Sequence, residues 1–301
     1  MAKTNTSLHH LKNKILLATY IMRSLPVEDI HKTTSEPKER QRIRNTLVFL
    51  KREGFTNQKQ SLRGDRFIHL TKKGYKYVTE RVLKRIDDRT QYQHKEYRLL
   101  RKTLSEHSFM SFIYLWQYIS SNADTINGAT QIYEASDMNK CKISVYSTGT
   151  SLVISPDIIV YTPDAKNSLF YNALCVENDN GREPYKMIYE KVVEYAVLAD
   201  KGLIPNRISN LTLNFIFRSK QRIKQLFYDE QGIVRIFRTY NNTKQIKDVR
   251  IRTIILALNN SNFHINVSYF DDSNIESPYE FQEYNLSEML LKVKPEWKIY
   301  T

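Results

Sequence analysis

Glycine and cysteine are both scarce in this sequence. Eight glycines occur among 301 residues, and no glycine-rich loop of the kind that binds nucleotide phosphates is present. The two cysteines, Cys141 and Cys175, have no metal-ligand spacing, and the seven histidines contain no His-x-His pair. The sequence therefore excludes a glycine-rich phosphate loop and a metal site of the His-x-His type, and its cysteine content fits a reducing cytosol.

Long hydrophobic runs are also missing. The N-terminal segment MAKTNTSLHHLKNK has no continuous apolar core, so it does not predict a secretion signal. The apolar stretch Phe109–Ile119 is too short to cross a membrane. From these absences we expect a cytoplasmic protein with no membrane segment.

Acidic residues are outnumbered by basic ones. Lysine and arginine total 46 against 32 aspartates and glutamates, which gives a formal net charge of +14. Such a balance favours a polyanionic partner, nucleic acid before membrane. Many soluble proteins are basic without a specific partner, so the charge alone is a modest argument.

Residues 8–78 have the pattern of a winged helix-turn-helix. Ser35 and Pro37 predict the capped start of a third helix that ends at Gly54, and a hairpin with a basic tip follows. A basic helix and a basic hairpin tip together favour docking on duplex DNA over protein contact or a merely solvated face. The residues predicted to contact DNA are Arg40, Arg42, Arg44, Arg63 and Arg66.

Acidic residues interrupt two apolar strands in the middle of the chain. Asp157 follows Pro156 inside the run LVISPDIIVY. Glu177 and Asp179 lie two apart at the end of the next strand, where alternation puts both on one face. Ionised carboxylates beside an apolar core are costly unless their charge is offset, and a divalent cation is the usual partner.

A helix is predicted to follow these strands, from Pro184 to Gly202. Three- and four-residue steps place Lys191 on its apolar face between Ile188 and Tyr195. Carboxylates from two adjacent strands and a lysine from the packed helix are typical of metal-dependent phosphodiesterases. The predicted roles are binding of Mg²⁺ or Mn²⁺ by Asp157, Glu177 and Asp179, charge stabilisation by Lys191, and phosphate steering by Arg182 or Lys186.

The order of these motifs resembles the replication-relaxation family, which includes the MobC-class relaxases of mobile plasmids. The matching residues are Pro156-Asp157, Val176-Glu177-Asn178-Asp179, and Lys191 with Tyr195. With the N-terminal part included, the resemblance covers most of the chain. The family motif has a lysine two residues after the second acid, where this chain has Asp179. We expect Lys191 to take the role of that lysine.

The resemblance implies a restriction-endonuclease-like PD-(D/E)xK core and a relaxase activity. Such a protein nicks one strand at the origin of transfer of a plasmid or integrative element and so initiates conjugative mobilisation. Its expected partners are duplex and locally single-stranded DNA at that origin and other proteins of the transfer complex. Further candidate site residues are Glu106, His107, Glu134 and Tyr195, for each of which an ordinary structural role stays open.

These predictions define an α/β chain, α+β overall, in three parts. A winged helix-turn-helix is expected over residues 1–80, a charged helical linker over 81–107, and an αβα nuclease-like domain with a mixed central sheet over 108–301. Phe109–Ile119 is the predicted first buried helix of the last domain, and Arg250–Leu258 is one of its predicted strands.

Two other functions remain open at this point. Because Glu-x-Asp replaces Glu-x-Lys, the chain could be a non-catalytic DNA-binding accessory or replication-control protein with a degenerate nuclease fold. It could also be a nuclease that acts on duplex DNA with little sequence preference. Nicking of supercoiled DNA, and its dependence on target sequence, distinguishes these functions.

Overall fold

The chain forms two structural units. The computed structural model describes residues 3–60, 64–84, 106–123, 125–126, 129–135, 141–147, 150–179, 183–217, 219–223, 253–254, 256–257, 262–269 and 282–285. One unit comprises Met1–Ser136 with Ser273–Tyr279, and the other comprises Asp137–Asp272 with Glu280–Thr301.

Three helices form the first half of the N-terminal unit. Helix α1 spans Lys3–Met22, α2 spans Val27–His31 and α3 spans Pro37–Arg52. Pro37 occupies the first turn of α3, as predicted, but the N-cap is Glu36 without a side-chain capping hydrogen bond, so the expected cap by Ser35 is wrong. The buried face of α3 consists of Ile43, Thr46, Leu47 and Leu50. This face packs inward because these residues recur at helical spacing among charged ones.

A small antiparallel sheet completes the fold of this region. Strands β1 (Leu25–Pro26), β2 (Thr56–Gln60) and β3 (Arg66–Leu70) pair in the order β1-β3-β2. Strand β3 is buried beyond its first residue, whereas β2 is mostly exposed. Helix α4 (Lys72–Tyr77) and a π-helical turn (Val78–Val82) follow the hairpin.

The start of α4 is fixed by a close backbone approach. Thr71 is the N-cap, and its hydroxyl oxygen accepts a hydrogen bond from the backbone N–H of Gly74 at 3.1 Å. A β-carbon at Gly74 would collide with the carbonyl oxygen of Phe55. The φ angle of Gly74 is not positive, so the backbone conformation itself does not require glycine. Glycine is required because a larger side chain would not fit.

Helix α5 (Glu106–Ser121) contains the predicted buried helix Phe109–Ile119 and belongs to the first unit. Most of its apolar residues are buried, and the ring centroid of Trp116 lies 3.9 Å from the Nζ of Lys14 on α1. Strand β4 (Gln131–Glu134) also lies in this unit. Because α5 packs on α1, the first unit extends to Ser136. The sequence analysis had the second domain begin at residue 108.

The second unit contains a mixed sheet. Its strands pair in the order β11-β10-β9-β8-β7, and β5 and β6 form a separate hairpin. The β7–β8 and β10–β11 pairs are antiparallel, and the β8–β9 and β9–β10 pairs are parallel. The predicted mixed α/β class is confirmed at this level. The strands are β5 (Ile143–Ser147), β6 (Thr150–Ile154), β7 (Ile158–Pro163), β8 (Tyr171–Asp179), β9 (Ile208–Phe217), β10 (Phe263–Tyr269) and β11 (Gln282–Asn285).

Helical residues follow both β8 and β9 in the described part of this unit. Helix α6 (Tyr185–Lys201) links β8 to β9, with Pro184 as N-cap and Gly202 as C-cap, close to the predicted limits. Helix α7 (Lys220–Ile223) follows β9. The prediction of a strand at Arg250–Leu258 is wrong for the part that the structure describes, because residues 253–254 and 256–257 are helical. Within the described residues, no helix is both long and apolar enough to cross a membrane.

Candidate functional site

Asp157 lies just before β7, at the end of the sheet where β8 finishes. Its backbone N–H donates to the carbonyl oxygen of Val176 at 3.0 Å, so the pairing of β7 with β8 continues through Asp157. The backbone N–H of Asn178 donates to Oδ2 of Asp157 at 2.8 Å. These two hydrogen bonds fix the half-buried Asp157 carboxylate beside the last residues of β8.

Glu177 is a buried acid of this cluster, with 5% of its surface exposed. The hydroxyl of Tyr195 donates to its Oε1 at 2.7 Å, and the Nζ of Lys191 lies 2.9 Å from its Oε2. Both partners come from α6, one helical turn apart, so the helix face that the sequence identified does meet the strand. Each carboxylate oxygen of Glu177 therefore has a donor from the same helix.

The electrostatics of the pair follow from its burial. Burial raises the pKa of Glu177 to about 7, and Asp157 adds to the increase, against the opposing effects of Lys191 and Tyr195. Burial alone would lower the pKa of Lys191, but the charges of Glu177, Glu183 and Asp157 outweigh it and raise that pKa. Lys191 is thus a cation at neutral pH, whereas burial and the charge of Asp157 disfavour ionisation of Glu177.

Asp179 is paired differently from Glu177. Its Oδ2 accepts from Nε of Arg222 at 2.8 Å, and its Oδ1 accepts from the backbone N–H of Glu183 at 3.4 Å. Arg222, on α7, also donates to the carbonyl oxygen of Glu183. The Glu183 carboxylate lies 3.2 Å from Nζ of Lys191. Two cations therefore lie among four acids at this end of the sheet, with Glu183 in contact with both.

The three acids predicted to bind a metal do not converge. Over the residues that the structure describes, no three His, Cys, Asp or Glu side chains are grouped so as to hold a metal ion. Asp157 and Glu177 both act on Lys191, whereas Asp179 contacts Arg222. Glu177 thus pairs with Lys191, on which Asp157 acts through its charge, and Asp179 has its own counter-ion.

The next group of predicted site residues comprises an exposed lysine on α6, a glutamate in the first unit and four residues whose side chains are not described. Lys186 is exposed on α6 and lies 3.8 Å from Glu190. Glu134 ends β4 in the first unit. Arg63 and Arg182 lie outside the described residues, as do the side chains of Glu106 and His107 at the start of α5.

Glu183 and Arg222 are site residues that the sequence analysis missed. Glu183 precedes Pro184 at the start of α6, and its contact with Lys191 spans two helical turns. An acid beside a helix start was a usable signal for this contact. Arg222 is one of several basic residues after β9, and no periodicity distinguishes it from its neighbours.

The predicted DNA-contacting arginines of the first unit are partly engaged within the protein. Nε of Arg40 donates to the carbonyl oxygen of Thr34, Arg42 pairs with Glu39 at 2.8 Å, and Arg66 pairs with Glu28 at 3.2 Å. Arg44 is exposed on α3. Partial burial lowers the pKa of His31 on α2, and the charges of Arg44, Arg66 and Arg40 lower it further against the opposing charge of Glu28.

No family model, curated protein or solved structure matches this chain.

Proposed function

We propose that this protein binds duplex DNA through its first unit and nicks one strand with its second unit by metal-dependent phosphodiester cleavage. The single observation that carries the proposal is the contact of Lys191 with buried Glu177 beside Asp157. Two acids from adjacent strands and a lysine are the residue types of a PD-(D/E)xK site. The helical origin of Lys191 explains how the chain does without the usual lysine at position 179.

Asp157 and Glu177 are the residues that we propose to hold Mg²⁺ or Mn²⁺. Both residues offer hard carboxylate oxygens at neighbouring strands. Burial and the charge of Asp157 raise the pKa of Glu177, and a bound cation would instead favour its ionised form. The bound ion would polarise the scissile phosphate and activate the attacking group. Lys191 would stabilise the negative charge that develops on the phosphate. Tyr195 would hold Glu177 in orientation.

The first unit supports the DNA-binding half of the proposal. Three helices followed by an antiparallel hairpin, with the strand order β1-β3-β2, support the proposal of a winged helix-turn-helix. Helix α3 has an exposed face rich in basic residues, and Arg66 begins the return strand of the hairpin. The net charge of +14 favours the same polyanionic partner.

The biological setting of the proposal comes from the resemblance to the replication-relaxation family. We propose that the nick is made at the origin of transfer of a plasmid or integrative element in the cytoplasm. Other proteins of the transfer complex would then act on the nicked strand. The motifs Pro156-Asp157 and Glu177-x-Asp179 and the lysine on the next helix support this setting.

A second function is favoured by a specific observation. Asp179 is paired with Arg222, and no group of three potential ligands lies within the described residues. Buried ion pairs of this kind can have a purely structural role and take no part in catalysis. A non-catalytic DNA-binding accessory or replication-control protein with a degenerate nuclease fold would have this arrangement.

Nicking of a supercoiled plasmid separates the two functions. The plasmid carries the DNA that flanks this gene in its natural element, and reactions contain either Mn²⁺ or EDTA. We expect conversion to open circle with Mn²⁺ only, lost in Asp157→Asn and in Lys191→Ala. Lys201→Ala, an exposed lysine at the end of α6, is the matched control and should nick normally. Tight binding without conversion would establish the accessory protein instead.

A further inference from the structure

We infer that one exposed face of α3 reads base edges in the major groove, through Gln41, Arg44, Asn45 and Val48. The inference rests on the DNA binding proposed above and adds the bases that the protein selects. It predicts a target with an A·T pair next to a G·C pair. The ligand is duplex DNA, the occupant that the basic character of α3 matches.

The four residues lie on one side of the helix. Positions 41, 44, 45 and 48 are separated by steps of three and four residues, so their side chains project together. All four are exposed. The opposite side of α3 is held in the core by Ile43, Thr46, Leu47 and Leu50, so the orientation of the exposed face is fixed.

This face differs in chemistry from the arginines on either side of it. Arg40 and Arg42 are engaged by Thr34 and Glu39, which draws them towards the helix start. Gln41 and Asn45 are neutral amides that form an i,i+4 hydrogen bond, a pair that also stabilises the helix. Amide groups can both donate and accept hydrogen bonds, which the arginine side chains cannot.

The Gln41–Asn45 pair matches the edge of adenine. Nε2 of Gln41 donates to Oδ1 of Asn45 at 2.9 Å, which orients both amide groups. Each amide has two donor hydrogens and two acceptor lone pairs, so the pair retains donors and acceptors for a base. In the major groove, asparagine and glutamine pair with N6 and N7 of adenine, and arginine pairs with O6 and N7 of guanine. Arg44, next to Asn45, is the residue that would contact guanine.

Val48 provides the apolar part of the face. Its side chain is 62% exposed, and it is the one large hydrophobic residue exposed among the described residues of the first unit. A single exposed valine is ordinary on a protein surface. One turn beyond Arg44 and Asn45, however, it is placed to contact the C5-methyl group of thymine, which apolar side chains recognise. Lys38, Lys51 and Arg52 near the two ends of α3 are placed for the flanking phosphates.

Selection of binding sites from a randomised duplex library tests the inference with the full-length protein. The wild type is compared with Asn45→Ala, Val48→Ala and Arg44→Ala. We expect roughly ten-fold loss of discrimination at one adenine, one thymine and one guanine position respectively. Lys76→Ala, at an exposed lysine of α4, matches the charge change of Arg44→Ala and should keep the wild-type preference. Because all four residues are exposed, the variants should remain folded by circular dichroism.

The possible outcomes separate the inference from the proposed function. If the wild type binds no duplex at all, the DNA-binding proposal is overturned and the inference with it. If the wild type selects a sequence and the variants select it equally well, DNA binding stands and base reading by this face is overturned. A loss of affinity without any change in base preference would likewise overturn it, since it would assign the face to phosphate contact alone.

Discussion

The hydroxyl of Tyr195 donates a hydrogen bond of 2.7 Å to Oε1 of Glu177, and both side chains are almost completely buried. Burial raises the pKa of Tyr195 well above its ordinary value, and the neighbouring groups Cys175 and Glu177 add to the increase. Tyr195 therefore stays a neutral donor at physiological pH. A buried, protonated hydroxyl that is already bonded to a carboxylate is poorly suited to attack a phosphate.

Replacement of Tyr195 by phenylalanine should accordingly leave the chemistry in place. We expect Tyr195→Phe to lower the free energy of unfolding by about 1–3 kcal/mol, through loss of a buried hydrogen bond to the carboxyl group of Glu177. The pKa of Glu177 should rise further, because Tyr195 lowers it in the native protein. Metal-dependent nicking should persist, and urea unfolding measures the stability change.

Tyr189→Phe is the matched control for this variant, since Tyr189 is a buried tyrosine on the same helix. Complete loss of nicking in a folded Tyr195→Phe protein, with Tyr189→Phe active, would assign Tyr195 a chemical role and contradict the interpretation.

The raised pKa of Glu177 predicts how stability depends on pH. The ordinary pKa is 4.5 and the folded value is about 7, because of burial. Between these values the folded chain retains a proton that the unfolded chain has released. The free energy of unfolding should therefore fall as pH rises from about 4.5 to 7, by about 3 kcal/mol from this group. Glu177→Gln cannot ionise and should abolish this part of the dependence.

Urea unfolding between pH 4 and 8 in EDTA measures this effect. Glu190→Gln, a more exposed glutamate on α6, serves as the control and should keep the wild-type slope. Identical slopes for wild type and Glu177→Gln would show that burial of Glu177 is not the cause. Added Mn²⁺ should flatten the wild-type dependence, because a cation at Asp157 and Glu177 would favour the ionised carboxylate.

Asp179 and Arg222 form the second buried ion pair of the site. Its contribution to stability can be tested independently of Lys191. We expect Arg222→Gln to lower the free energy of unfolding by about 3 kcal/mol, because it leaves the buried Asp179 carboxylate without its cation. Asp179→Asn combined with Arg222→Gln should lose less than the sum of the single changes. Chemical denaturation of the four proteins gives this coupling.

Nicking by the same variants distinguishes a structural Asp179 from a metal ligand. Asp179→Asn should keep metal-dependent nicking, whereas Asp157→Asn should lose it. An Asp179→Asn protein that is stable yet has lost its metal dependence would restore Asp179 to the set of ligands that the sequence predicted.

Local patterns predicted much of the second unit. Alternation placed Glu177 and Asp179 on one strand face, and helical spacing placed Lys191 and Tyr195 on the face of α6 that meets it. The partner of Asp179 could not be predicted in this way. Arg222 is 43 residues away on a short helix, and only the packing of α7 against the sheet brings it to the site.

Other differences have the same origin. The apolar run at Arg250–Leu258 fits a strand by residue type, but the buried Ile254 and Ala257 are three residues apart and lie in a helix. The apolar composition of α5 correctly indicated a buried helix. Composition does not show which unit of the protein the helix packs in. Contact with α1 decided that α5 belongs to the first unit.

Gly74 provides a test of the first unit that does not depend on DNA. In an ordinary exposed helix, alanine in place of glycine stabilises by roughly 0.5–1 kcal/mol. Here the added β-carbon would overlap the carbonyl oxygen of Phe55, which is itself held by the N–H of Thr71 at 3.0 Å. We therefore expect Gly74→Ala to lower the free energy of unfolding by about 2 kcal/mol.

Lys72→Ala, exposed in the first turn of the same helix, should change stability little and serves as the control for Gly74→Ala. Thermal and urea unfolding of both variants gives the comparison. Stabilisation by Gly74→Ala would mean that Phe55 does not approach α4 so closely. The capping of α4 by Thr71 would then be wrong as well, because the same backbone position produces the Thr71 hydrogen bond and the crowding at Gly74.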